Sequence, residues 1–444
     1  MRPALGPALL LSGACLWIYL LYGATLGRSF TESYVDSTTT SHVVVPSFAR
    51  RVAAQHADRC VNPYNEEGLL YFPGSTDLLN TTYVTFSSLL DSDISSVSVE
   101  NYPDAMLRGQ RAFPNRPLPQ ALIDAAPHNW LKDLMLLKEA TASKQLAKYP
   151  EVVERTNWLR NRTILLVGDS IDRSMSAFLC QRNLGGENGM GPYGFQTTTR
   201  CHVPFLNFTL IGWHIASLYD TKPTWWWKKD MEIVDFEHRW EKYFLPSLIA
   251  DNGARVHIDL AVVQSGMWDH GAFVTSRLAE YAAKNGGNMN APPGPKNFKR
   301  SLNFLELRFF INRFRTLLQR VLDDLPDTPV ACRALTERSL GDENTAMHQL
   351  DRAQAYACKT LDVETIPFST NIFGIFGTGN LLIDAIHYDN GPISALWSNM
   401  ILYYLYRTQG GLDINGTLSL DVGAPTGMPA WSRCHDYFMQ NYPS

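Results

Sequence analysis

Basic charge is not in excess in this sequence: 39 Lys and Arg residues stand against 43 Asp and Glu, a formal net charge of -4. Without a positive field to gather phosphates, nucleic acid is excluded as the expected partner. Neither Cys-x-x-Cys nor His-Glu-x-x-His occurs, so the usual zinc signatures are missing and no metal or bound cofactor is expected. No internal repeat marks a solenoid or a propeller. Charged residues make up 18% of the chain and hydrophobic ones 45%, which excludes a disordered polymer. The 444 residues suffice for one large domain or two ordinary ones.

Charge is also missing from Pro3 to Gly27, where Ala8 to Tyr22 is strongly apolar. About 20 apolar residues span a bilayer as a helix. A cleaved secretory signal is the competing reading, kept open by Gly23-Ala-Thr25. Length and the aromatics Trp17, Tyr19 and Tyr22 favour an uncleaved anchor over residues 1–27. Either way the rest of the chain is expected in the secretory lumen. Six further cysteines suit disulfides there: Cys60, Cys180, Cys201, Cys332, Cys358 and Cys434. Many pairings are open to six cysteines. Proximity suggests Cys180–Cys201 and Cys332–Cys358, which leaves Cys60–Cys434. Glycosylation sequons stand at Asn80, Asn161, Asn207 and Asn415.

Residues 28–58, rich in Ser and Thr, read as a stem. Residues 59–155 form a subdomain whose fold the pattern leaves undefined, with an amphipathic helix near Trp130–Tyr149. Over 156–444 the alternation becomes regular. Strands are expected at Thr163–Val167, Val256–Val263, Pro329–Leu335 and Val363–Phe368. Helices are expected at Ile171–Arg182, Leu302–Leu325, Thr345–Leu361 and Pro392–Arg407. Short apolar strands alternating with longer helices predict an α/β domain, a parallel sheet with helices on both faces.

In such sheets ligands bind beyond the carboxyl ends of the strands. The first strand runs into Gly168-Asp169-Ser170, with a helix starting at once. Ser170 therefore sits on a strand-to-helix turn whose N–H groups suit an oxyanion. Asp384-Ala-Ile-His387 precedes the last helix. A serine hydroxyl needs a base, and the base needs a partner that fixes its tautomer. Ser170, His387 and Asp384 supply those roles. Singly, Gly-Asp-Ser is an ordinary turn and Asp384 an ordinary cap; together, in these positions, they point to catalysis.

Leu-Leu-Val-Gly-Asp-Ser-Ile-Asp-Arg, residues 165–173, resembles the opening motif of the SGNH (GDSL-type) hydrolase superfamily. It is most similar to the branch of PC-esterases and trichome-birefringence-like polysaccharide O-acetyltransferases. That branch reads Gly-Asp-Ser-x-x-Arg, matched by Gly168, Asp169, Ser170 and Arg173, although Ser174 stands where Asn often follows. Leu382–His387 resembles its closing Asp-x-x-His, and Val262-Val-Gln-Ser-Gly-Met-Trp-Asp269 its Asn-Ser-Gly-x-Trp-Asp element. The resemblance covers about residues 160–410. It implies a flavodoxin-like sheet, an acyl-serine intermediate and a single-pass type II Golgi topology with the catalytic domain in the lumen. The wider superfamily places an oxyanion-binding Asn where this chain has Trp268; Gln264, the Trp268 indole, Arg173, Asp169 and Gly266 are the local candidates for oxyanion or substrate contacts.

Gly189-Met-Gly191-Pro-Tyr-Gly194 follows a helix, not a strand, and Pro192 spoils the turn, so no dinucleotide site is read there. Trp225-Trp-Trp227 is a candidate sugar platform, against a division between core and surface. Asn285–Pro295 is a lid candidate or a plain surface loop. The expected function is acetyl transfer onto a glycan acceptor from an unnamed acyl donor. The alternatives are a carbohydrate O-acetylesterase and a non-catalytic, membrane-anchored glycan-binding protein on the same fold.

Overall fold

The computed structural model describes residues 62–72, 78–91, 120–189, 198–219, 235–250, 253–284, 286, 301–336, 341–369, 382–384, 386–388 and 391–408. The apolar run Pro3–Gly27, the stem, Cys60, Cys434, Asn415, Trp225–Trp227, the end of the glycine-rich stretch and nearly all of Asn285–Pro295 lie outside them. Among the described residues no helix is long and apolar enough to cross a membrane.

A small antiparallel pair, β1 (Gly68–Tyr71) and β2 (Thr82–Thr85), comes first. Helix α1 (Trp130–Ala142) follows, shorter than the expected Trp130–Tyr149. The Asn129 side chain caps it by accepting from the Lys132 N–H at 3.0 Å. The main sheet then takes β3 (Thr163–Gly168), β4 (Thr198–Val203), β5 (Phe208–His214), β6 (Leu260–Val263), β7 (Val330–Arg333) and β8 (Glu364–Ile366). Its spatial order is β4-β5-β3-β6-β7-β8. Every neighbouring pair is parallel except β4–β5. The expectation of a purely parallel sheet is corrected at that edge: Pro204–Asn207 is too short for a crossover and returns the chain as a hairpin. Without β4, the chain order of the strands reads 2-1-3-4-5, which puts the topological switch between β3 and β6.

Longer helices alternate with these strands: α2 (Ser170–Ser176), continued by a wider π-type stretch Ala177–Asn183, then α3 (Met267–Lys284), α4 (Phe304–Asp324), α5 (Gly341–Lys359) and α6 (Pro392–Arg407). In α4 the Asn303 and Glu306 side chains cap the N-terminus, and Phe310, Phe314, Leu317, Leu318 and Val321 form one buried stripe. Helix α6 starts on Pro392 and is buried nearly all round, as its apolar composition requires. It packs on α1 and α2, and its Asn399 side chain accepts from the Leu131 N–H at 2.9 Å. A second packed group is formed by α3, α4 and α5. All residues of β6 and β7 are buried, as in strands covered on both faces.

Strand β6 begins four residues later than its apolar run suggests. The Asp259 carboxylate accepts from the Thr163 N–H at 2.8 Å and from Arg162 at 2.5 Å, so the chain joins the ladder only after Asp259. Disulfides Cys180–Cys201 and Cys332–Cys358 tie the end of the α2 segment to β4, and β7 to α5. Asn80, Asn161 and Asn207 are exposed.

Candidate active site

At the switch point the Gly168-Asp169-Ser170 turn meets the Val262–Asp269 element, through Gln264 and Asp172. β3 ends at Gly168, and a Cβ there would sit on the Asp172 carboxylate in the first turn of α2. Glycine is therefore required for the helix to start this close to the strand. Asp169 is the N-cap: one carboxylate oxygen accepts from the Ile171 N–H at 2.8 Å. The Arg173 N–H goes to the Asp169 carbonyl at 3.2 Å. The Asp169 side chain also holds the Asp172 N–H, so of the amides from Ser170 to Arg173 that of Ser170 is the one without a partner among the described residues. The Ser170 side chain is fully buried, and its Oγ has no hydrogen-bond partner among the described residues.

Near the chain's other end, the Asp384–His387 turn is closed by the Ile383 N–H donating to the His387 carbonyl at 2.8 Å. Asp384 Oδ1 accepts from the N–H groups of Ile386 and His387, each at 2.8 Å. Asp384 Oδ2 meets His387 Nδ1 at 2.7 Å. Burial pushes the Asp384 carboxyl up, but these hydrogen bonds outweigh it and hold it below the usual carboxylate range. An anionic Asp384 places the imidazole proton on Nδ1 and leaves Nε2 as the base. His387 Nε2 is buried and has no hydrogen-bond partner among the described residues, so it is not bonded to Ser170 Oγ here.

The remaining candidates have mainly supporting contacts. Gln264 follows β6; its Nε2 donates to Asp172 at 2.8 Å, which commits the amide to the floor of the turn. Gly266 lies against the Leu335 side chain. Asp269 is fully buried and accepts from Ser217 Oγ at 3.0 Å, the Leu218 N–H at 2.7 Å and Ser265 Oγ at 2.6 Å. The motif's last residue therefore joins the loops that follow β5 and β6. Trp268 meets the His214 ring edge to face, with centroids 5.7 Å apart. Arg173 is half-buried on α2 and lies near His214.

Three residues outside the motifs belong to this end of the sheet. Arg333, the last residue of β7, donates to Asp172 at 2.6 and 3.0 Å, with both side chains buried. Burial opposes the Arg333 charge, but Asp172 outweighs it and keeps the guanidinium charged. Burial and the neighbouring Asp172 hold the Asp169 carboxyl above the usual range. Gln354 on α5 links the loops after β6 and β7, accepting from the Ser265 N–H at 3.0 Å and donating to the Arg333 carbonyl at 2.7 Å. His214 ends β5. A charge in an apolar strand was the local signal for Arg333; nothing in the local sequence marked His214.

Among the described residues no cluster of His, Cys, Asp or Glu is placed to hold a metal ion. A surface groove of about 520 Å³ lined by Glu237, Arg315, Arg320 and Asp323 shares no residue with this site.

No family model matches the chain, and no curated protein matches it. Solved structures similar to it include a GDSL-like lipase from Parabacteroides merdae, at 15% identity over 55% of this chain and 97% of that one, with a TM-score of 0.32. The acetylxylan esterase Axe2 from Geobacillus stearothermophilus is similar at 13% identity over 56% and 93%, with a TM-score of 0.30. The acetyl xylan esterase AlAXEase is similar at 12% identity over 55% and 97%, with a TM-score of 0.28. These likenesses are weak, and the chemistry rests on this chain's own residues.

Proposed function

We propose that this chain is a serine-dependent acyl-transfer enzyme that moves acetyl groups to or from the hydroxyls of a glycan through an acyl-serine at Ser170. The observation that carries this is the Asp384–His387 pair at 2.7 Å, which leaves a buried, unpartnered Nε2 as base. Ser170 Oγ, at the switch point, is a buried hydroxyl without a partner among the described residues, of the kind such a base serves. His387 Nε2 takes the hydroxyl proton as Oγ attacks the ester carbonyl. The tetrahedral oxyanion then collapses, breaking the ester C–O bond, and the leaving alkoxide takes the proton back from His387. In the second half the acceptor hydroxyl, from sugar or water, loses its proton to His387 and attacks the acyl-serine; the acyl C–Oγ bond then breaks and Ser170 Oγ takes the proton back from His387.

The motif resemblance of residues 165–173 and 382–387 supports the transferase direction, and so does the burial of Ser170, since an acyl-serine must be kept from water to wait for a sugar. The apolar run Pro3–Gly27 supports a membrane-anchored, lumen-facing enzyme, single-pass and of Golgi type by the same resemblance. A non-catalytic glycan-binding role is the second reading, favoured by the missing Ser170–His387 hydrogen bond. One experiment separates them: the full chain is incubated with 4-nitrophenyl acetate, then with acetylated and unacetylated oligosaccharides, and the Ser170 peptide is weighed. Acetyl on Ser170 and nitrophenolate release are expected. Glycan binding by a wild-type chain that never labels at Ser170 rejects the enzyme.

A further inference from the structure

His214 lies beside the Ser170 turn. Its partner in the β3–β5 ladder is Gly168, so the two positions share a face of the sheet. That is the face on which α2 begins, because a side chain at Gly168 would strike Asp172. Strand β3 separates β5 from β6. The His214 ring, from the end of β5, and the Trp268 ring, from just beyond β6, meet with centroids 5.7 Å apart. Contact between residues of those two strand ends has to cross the end of β3, where Ser170 stands.

The imidazole is held in one tautomer. The Ala216 N–H donates to His214 Nδ1 at 3.1 Å, so in the neutral ring the proton is on Nε2. Ala216 takes a φ of +63° in this turn, a left-handed conformation that an alanine adopts only at a cost. Arg239, itself fully buried, fixes the same turn by donating to the Ile215 carbonyl at 2.6 Å and the His214 carbonyl at 3.4 Å. Burial first, then the Arg239 and Arg173 charges, lower the His214 pKa to about 3. The ring is thus a neutral donor at any ordinary working pH.

We propose that the Nε2–H of His214 donates to the oxyanion formed at Ser170, doing the work of the side-chain amide that Trp268 displaces. Trp268 then supports the ring that replaces the donor it removed. A neutral imidazole acting as electrophile is chemically sound: it donates a hydrogen bond without bringing a titrating charge. His214 gives up no proton and forms no bond to the substrate; it stabilises charge that exists only in the tetrahedral state. The assignment rests on the acyl-serine reading above.

The test compares His214→Asn and His214→Gln in the full chain with 4-nitrophenyl acetate. Asparagine keeps an acceptor for the Ala216 N–H and loses the distal donor; glutamine reaches the Nε2 position with an N–H. His214→Asn is expected to lower kcat by about 10²–10³ with KM changed little, as for removal of one oxyanion donor. His214→Gln, which keeps a donor, is expected to hold turnover within about tenfold of wild type, well short of the loss for removing one such donor. Melting temperatures verify folding, and His214→Leu, which fills the space against Trp268, serves if the asparagine variant does not fold. Loss in neither variant, or equal loss in both, overturns the assignment while wild type still acylates Ser170. Wild type that shows no Ser170→Ala-sensitive turnover overturns the acyl-serine reading instead, and the assignment with it.

Discussion

Arg333 holds Asp172 by two hydrogen bonds, 2.6 and 3.0 Å long, where neither side chain reaches solvent. Asp172 also accepts from Gln264, so the pair fastens α2 to the ends of both β6 and β7. Breaking a buried pair strands one charge, at a cost of about 3–5 kcal/mol. Arg333→Met is therefore expected to lower unfolding free energy by about that much, measured by denaturant titration. Asp172→Leu combined with Arg333→Met should cost less than the two single changes summed. Simple additivity in that cycle would mean the two residues are not coupled.

Ser170 Oγ has no hydrogen bond to lose among the described residues, so Ser170→Ala should leave the melting temperature unchanged while abolishing acetyl-enzyme. Asp384→Asn removes the group that fixes the His387 proton on Nδ1. Turnover should fall by about 10⁴, the loss the equivalent change causes in a serine-protease triad. Turnover of Asp384→Asn within tenfold of wild type would show that His387 does not depend on this partner.

Much of the architecture was legible because it follows from local pattern. Helix α6 starts at Pro392, since proline fits the first turn, and its apolar run ends at Arg407. Strand β3 is a continuous apolar run, and Ser170 follows it as expected. Strand β5 was not read: Thr209 and Gly212 interrupt Phe208–His214, and its strand character comes from pairing with β3 on one side and β4 on the other. Missing β5 hid His214, whose neighbourhood is set by the ladder and not by spacing along the chain. Arg333 meets Asp172 over a separation of 161 residues, which no short motif encodes. The Gln-Ser-Gly-Met-Trp-Asp element was recognised, but the use of Asp269 as a clamp between loops depends on Ser217 and Leu218, which only the fold brings near.

Stability should depend on pH through His214. Its folded pKa, about 3, lies below the ordinary imidazole value of 6.5, so between those limits the unfolded chain binds the proton and the native state does not. Its contribution therefore makes stability rise with pH across that window, by roughly 1.4 kcal/mol per pH unit, and go flat above it. Chemical denaturation of wild type and His214→Gln at pH 4.5, 5.5 and 6.5 tests this. The variant should show a slope smaller by about one proton. Equal slopes would mean that the imidazole is already protonated, or hydrated, in the native protein.

The sequons at Asn161 and Asn207 precede β3 and β5, at the end of the sheet opposite Ser170. Both side chains are exposed, and Asn207 Nδ2 donates to Asn161 Oδ1 at 2.8 Å. Both residues are left-handed, with φ of +61° and +50°, a region that Asn and Gly enter more easily than other residues. An N-linked glycan leaves one amide N–H on Asn207, so the side chain keeps a donor for Asn161 Oδ1. Sugars at this end should not obstruct the Ser170 turn. Secretory expression followed by endoglycosidase treatment and peptide mapping should show occupancy at both sites, with turnover unchanged after the sugars are removed. Asn161→Gly should be tolerated, whereas Asn161→Val, which cannot hold the left-handed turn cheaply, should cost about 1–2 kcal/mol. Equal stability of the glycine and valine variants would show that the turn does not impose this backbone, and loss of turnover on deglycosylation would place the sugars near the reacting groups.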